Sequence, residues 1–242
     1  MLERAPPATF RHDHFPEIPL GTKLTLTTSD NHTLGAYRAD PKGTPKGGMV
    51  VIQEIFGVNK NIRHVCDTLA ERGYVAIAPA VFDRFERDFE SGYSADEIAR
   101  ARGFLGGLNW DHLMADTAAA KDNLKDVGPI GIVGFCLGGS VAFLGACRVL
   151  GFVSAVGFYG GAIAKFADEK PKCPVQLHFG EKDESIPMTM VEEIKAKQPQ
   201  ADIHVYPGAP HAFTNEDRPS FRQEAADLAW KRTYEFLDKT MK

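Results

Sequence analysis

The strongest constraint on this 242-residue chain is an alternation that runs through most of it. Short apolar runs bounded by turn residues alternate with segments whose apolar residues recur at helical spacing. GMVVIQ (48–53), YVAIAP (74–79), PIGIVGF (129–135), FVSAVGFY (152–159), PVQLHFG (174–180) and DIHVYP (202–207) read as strands, and KLTLTTS (23–29) alternates with period two. The intervening pattern predicts helices over 61–73, 109–125, 137–150, 191–198 and 220–239. In the first of these Ile62, Val65, Cys66 and Leu69 share one face and Gly73 suits the end, while Asn109 suits a helix start. Apolar strands separated by helices imply βαβ units and a mostly parallel central sheet with helices on both faces. Such sheets carry their chemistry beyond the carboxyl ends of the strands.

Composition narrows the function classes. Hydrophobic residues make up 43% and charged residues 25%, so disorder is excluded as the whole answer. Lys and Arg number 28 against 32 Asp and Glu, a net charge of −4, so no basic excess is available for nucleic acid. No run approaches the ~20 apolar residues of a membrane-spanning helix. The start, MLERAPPATFRHDH, has no apolar core of the signal-peptide kind. Cysteines at 66, 136, 147 and 173 form no C-x-x-C pair, so reduced thiols and a cytoplasmic location are expected. One domain over 1–242 is expected, with residues 1–20, which hold four prolines, as an arm over the surface. His12 and His14 form H-x-H without a third ligand at credible spacing, and no metal or cofactor is expected.

Gly134-Phe135-Cys136-Leu137-Gly138-Gly139 follows the most apolar strand and opens a helix. This is G-x-C-x-G, the nucleophile-elbow pattern with cysteine in the serine position. A nucleophile on so sharp a strand-to-helix turn has strained backbone, and its neighbours two residues away must be small. The helix start directs free N–H groups and a positive dipole end at the sulfur, which favours thiolate. The Leu137 N–H would face a developing oxyanion. Cys66 and Cys147 fall on apolar helix faces and read as packing residues, and nothing nearby activates Cys173.

Elbow hydrolases run nucleophile, acid, then base along the chain. Asp183 follows PVQLHFG in a strand-end loop, with Glu181 and Glu184 as rivals by proximity, and His211 follows DIHVYP in the same way. His178 and His204 lie inside strands. Cys136, Asp183 and His211 thus form a Cys/His/Asp set in the right order, each at a strand end.

Over nearly all of residues 20–240 the chain resembles the dienelactone hydrolase family of α/β-hydrolases. The carriers are Gln53-Glu54-Ile55-Phe56-Gly57-Val58-Asn59, Pro79-Ala80-Val81-Phe82-Asp83-Arg84, the elbow, Phe158-Tyr159-Gly160-Gly161, Gly180-Glu181-Lys182-Asp183 and Gly208-Ala209-Pro210-His211-Ala212-Phe213. The resemblance implies an α/β-hydrolase fold and a hydrolase acting on lactones or small carboxylic esters. Cys136 would attack the carbonyl and form an acyl-thioester, with His211 as base, oriented by Asp183. Glu54 would contact the resting thiol and help ionise it when substrate arrives. The Ile55 N–H would join that of Leu137 in an oxyanion hole. Arg84 would hold a substrate carboxylate, with Arg87 as competitor, and Tyr93 and Tyr159 are candidates for the pocket wall.

One position departs from the family. Its dienelactone-cleaving members carry a second carboxylate-binding arginine four residues after the catalytic histidine, where this chain has Asn215. Loss of one charge-assisted contact costs an anionic substrate about 1.5–3 kcal/mol. Arg218 and Arg222 stand further along as substitutes. The alternatives are a broad carboxylesterase or thioesterase with the same set, or a non-catalytic ligand-binding homologue. The expected partner is a small lactone or ester, not nucleic acid or membrane, on a monomer or small homo-oligomer. The charged, glycine-rich stretch 81–108 is expected to cover the pocket mouth.

Overall fold

The structure, a computed structural model, describes residues 21–242; the arm expected at 1–20, with His12 and His14, lies outside them. Eight strands form one sheet: β1 (Thr22–Thr27), β2 (Thr33–Ala39), β3 (Gly47–Ile52), β4 (Tyr74–Pro79), β5 (Ile130–Phe135), β6 (Phe152–Phe158), β7 (Val175–Gly180) and β8 (Asp202–Tyr206). Their spatial order is β1-β2-β4-β3-β5-β6-β7-β8. β1 and β2, and β2 and β4, pair antiparallel, whereas every pair from β4 through β8 is parallel. All residues of β3, β4, β5 and β7 are buried, which requires cover on both faces of the sheet.

The cover comes from α1 (Lys60–Glu71), α2 (Ala95–Gly103), α3 (Trp110–Asp122), α4 (Leu137–Arg148), α5 (Ile163–Phe166), α6 (Met188–Lys197) and α7 (Gln223–Thr240). α1 packs on β4, α4 on β5 and β6, and α7 on β6 and β7. α4 is buried along almost its whole length because LGGSVAFLGACR carries only one charge, at its end. α1 instead buries a stripe containing Ile62, Val65, Cys66 and Leu69.

Three elements lie outside the sequence reading: β2, α2 and the single turn α5. β2 joins the antiparallel edge although TLGAYRA has little β-branched content and a central glycine. Its place is fixed by pairing with β1 and β4 and by the Gly35 N–H, which donates to Asp83 Oδ2 at 2.7 Å. α2 lies inside the stretch read as a cover loop, started by a reciprocal cap in which Ser94 and Glu97 satisfy each other's backbone amides.

The chain leaves β3 for β4 on one side and later returns to lay β5 on the other. The carboxyl ends of β3 and β5 therefore flank the point where strand order reverses, the place where open α/β sheets form a crevice. Glu54 follows β3 and Cys136 follows β5.

Arg84 lies elsewhere, and the expectation for it is corrected. It sits in a 3₁₀ turn over Val81–Arg84, and its Nη2 donates to Asp116 Oδ1 at 2.8 Å while Nη1 donates to Asp30 Oδ2 at 2.9 Å. Asp116 on α3 is fully buried, so it requires a cation, and Arg84 is consumed in supplying one. Arg87, the competitor, donates to Asp83 Oδ2 at 3.0 Å and does not line the cavity at Cys136. Arg84→Ala is expected to lower unfolding free energy by about 3 kcal/mol in denaturant titrations, because it strands a buried carboxylate. Adding Asp116→Asn should recover part of that loss. Unchanged stability in the single variant would contradict this assignment.

Candidate active site

Cys136 stands between β5 and α4 with φ 55° and ψ −115°, a conformation that L-residues rarely adopt. Its amide donates to Phe158 O at 3.0 Å, and the Gly138 amide donates to Gln53 O at 3.1 Å. These bonds press the elbow onto the ends of β6 and β3. A Cβ on Gly134 would lie 2.0 Å from Gly138 O, and one on Gly138 would lie 2.3 Å from Ile52 O. Both contacts are with backbone that cannot yield, so the spacing of small residues around Cys136 follows from close approach.

The amides of Leu137 and Ile55 have no acceptor among the described residues, and both residues line the cavity at Cys136. Leu137 N–H is one of the free groups of the α4 start, where the helix dipole adds positive potential. Ile55 is held in place through Gln53, whose buried amide donates to Glu54 O at 3.1 Å.

His211 faces this thiol. Its Nδ1 is 2.6 Å from Asp183 Oδ2, and its ring and Cys136 line the same cavity. Asp183 is 3% exposed, and its other oxygen accepts from the amides of Ser185 (2.9 Å) and Ile186 (3.2 Å). Those amides fix the carboxylate and so fix the imidazole. Of the rivals, Glu181 accepts from the Gly208 amide at 3.0 Å and Glu184 is exposed. Burial by itself would push the His211 ring down, but electrostatic attraction to the Cys136 sulfur and the hydrogen bond to Asp183 outweigh it and raise the ring to about 10. Tyr159, with φ 40°, stands 5.1 Å from the His211 ring and is tied by its hydroxyl to Thr214 Oγ1 at 2.8 Å.

The remaining thiols do not line this cavity. Burial pushes Cys147 up to about 12, Cys173 up to about 11 and Cys66 well above the ordinary thiol value. All four cysteines are free.

Glu54 is 2% exposed, and among the described residues it makes no hydrogen bond to Cys136. Its Oε2 accepts from Asn215 Nδ2 at 2.8 Å, and Oε1 lies 3.6 Å from Arg218 Nη1. Burial raises its carboxyl above the usual range, against the opposing pull of Arg218, His211 and Asn215. Asn215 also donates to Tyr93 Oη at 3.0 Å and accepts the Asp217 amide at 3.1 Å. The residue at the departing position is thus a buried link between Glu54 and Tyr93, with no group left for a ligand. Tyr93, pushed up to about 12 chiefly by burial, also accepts from Asn59 Nδ2 at 3.0 Å.

Arg218 lines the cavity. Its guanidinium lies 5.5 Å from the Phe56 ring centre and 5.7 Å from that of Tyr93. Arg222 instead donates to the carbonyls of Pro219 and Phe221. The cavity holds about 380 Å³ and is bounded by Cys136, His211 and Arg218, with Ile98, Arg102 and Leu108 from the stretch expected to cover it. Sequence reading located that stretch but not these side chains. The Ser94–Glu97 capping signature was the available signal for α2.

The profile of the dienelactone hydrolase family matches residues 34–241. A carboxymethylenebutenolidase of Pseudomonas putida is 31% identical over 230 residues, covering 88% of this chain and 94% of that protein. A Synechocystis sp. protein provisionally given the same name is 36% identical over 246 residues, covering 93% of this chain and 99% of that protein. A solved Klebsiella pneumoniae structure, provisionally named a dienelactone hydrolase, superposes with a TM-score of 0.77 at 28% identity and covers 90% of this chain and 99% of that one. The sheet order and these neighbours give the α/β-hydrolase fold. Among the described residues no helix is long and apolar enough to cross a membrane.

The raised His211 value has a testable sign. A ring raised above its unfolded value gains stability from its partners that is complete below about pH 6.5 and is lost as pH rises through about 10. NMR titration of His211 should give a midpoint near 10 in the wild-type protein and a clearly lower one in Cys136→Ala. Equal midpoints in the two proteins would mean that the thiol does not act on the ring.

Proposed function

The chain belongs to the dienelactone hydrolase family, a family of hydrolases, and from that premise we propose that it cleaves a lactone or small carboxylic ester through Cys136. The observation that carries this reading is one constellation. A cysteine on a strained elbow meets an imidazole that is itself anchored 2.6 Å from a buried carboxylate, inside a cavity.

Cys136 attacks the carbonyl carbon as thiolate, with its proton held on His211. The N–H groups of Ile55 and Leu137 receive the resulting oxyanion, for which they have no competing acceptor among the described residues. The tetrahedral adduct collapses by breaking the carbon–oxygen bond, and His211 protonates the departing oxygen. Neutral His211 then takes a proton from water, hydroxide attacks the thioester, and the carbon–sulfur bond breaks to restore the thiolate.

Glu54 keeps the thiol-activating role by its charge and not by taking the proton: its carboxylate and the His211 ring that holds the thiol's proton attract one another, and Arg218 competes for that charge. A ligand group that draws Arg218 away strengthens the attraction to His211. Arg218 takes the anion-holding role first expected of Arg84, since it lines the cavity and Arg84 does not.

Cys136→Ala is expected to lower kcat on a lactone and ester panel by about a thousandfold or more while still unfolding cooperatively as a folded protein. Cys136→Ser should fall between the two, since the hydroxyl is harder to ionise. Near-wild-type turnover by Cys136→Ala would remove the reading.

A further inference from the structure

The cover contributes mainly apolar side chains to the cavity that holds the thiol. Ile98 of α2, Leu105 and Leu108 of the following turn, and Trp110 at the start of α3 all line it. Leu105 is 41% exposed, an apolar side chain left facing the open cavity. The wall is preformed. Phe104, next to Leu105, turns the other way and packs against Phe82 at 5.3 Å and Phe89 at 4.9 Å. Trp110 is braced by Phe166 at 4.9 Å. Arg102 of the same cover and Arg218 add cationic side chains to the lining.

A small polar lactone would fill little of about 380 Å³ and leave these four side chains in contact with water. An apolar group placed there displaces that water and gains in proportion to the area covered. Resting on the proposed ester hydrolysis, we infer that the preferred substrate carries a bulky apolar group, an alkyl chain or aromatic ring, that packs on Ile98, Leu105, Leu108 and Trp110 while its carbonyl meets Cys136. These four side chains determine specificity, and they act by contact with the substrate rather than in the chemistry.

Two pairs of esters test this, each matched in leaving-group chemistry: p-nitrophenyl acetate against p-nitrophenyl hexanoate, and ethyl acetate against hexyl acetate. In one pair or the other, kcat/KM should rise about tenfold or more for the longer ester, since each buried methylene contributes roughly fourfold. Leu105→Asn and Leu108→Asn should shrink that ratio, a readout from which any general loss of folded enzyme cancels. Equal or falling kcat/KM for the longer member of both pairs overturns the inference and leaves ester hydrolysis standing. If the wild-type protein cleaves none of the four, ester hydrolysis fails, and the wall is judged by calorimetry on Cys136→Ala. Hexanoate binding tighter than acetate then keeps the apolar subsite, and equal binding removes it.

Discussion

The backbone of Cys136 is the constraint on which the rest of the site depends. Holding a non-glycine residue at φ 55° and ψ −115° costs about 1–3 kcal/mol, and surrounding structure must over-determine it. Here the Cys136 and Gly138 amides bind the carbonyls of Phe158 and Gln53, so the elbow is pinned to strands on either side of it. That pinning sets several things at once. Cys136, Leu137 and Ile55 are brought to line one cavity, and the turn carrying Glu54 and Ile55 is held against the elbow through Gln53. Glycine at 134 and 138 is the steric condition for all of it.

Two carboxyl groups serve the site from different surroundings. One Asp183 oxygen accepts two backbone amides and the other meets His211, so its charge is met by fixed donors. Glu54 is as deeply buried, yet one oxygen has no hydrogen bond and faces Arg218 at 3.6 Å. A fully satisfied carboxylate orients; a partly satisfied one responds to what enters the cavity. Asn215 sharpens this contrast by tying the second Glu54 oxygen to Tyr93, which leaves Arg218 as the adjustable partner.

The parallel strands and the elbow were legible because each has a local physical cause. Continuous apolar runs require burial on both faces, and the spacing of Gly134 and Gly138 around Cys136 answers a clash that any side chain would meet. Asp183 and His211 were readable as strand-end residues in the right order, and the structure brings them together at 2.6 Å. β2 was not readable, since TLGAYRA is weak as a strand alone and is held by neighbours distant in sequence. Arg84 misled for the same reason. In DRFERDFE nothing indicates that a fully buried Asp116, 32 residues later, claims its guanidinium. Asn215 stood out as a departure, but its use as a link to Glu54 depends on a contact across 161 residues.

The central claim is that an acyl group passes through one sulfur. Rapid quenching of the wild-type protein with an activated, slowly released ester, followed by peptide mass spectrometry, examines that directly. The account predicts an added acyl mass on the peptide containing Cys136, and none on Cys66, Cys147 or Cys173, whose thiols burial holds protonated. Turnover of the same ester with no adduct on Cys136, or with the acyl group on another residue, would contradict it.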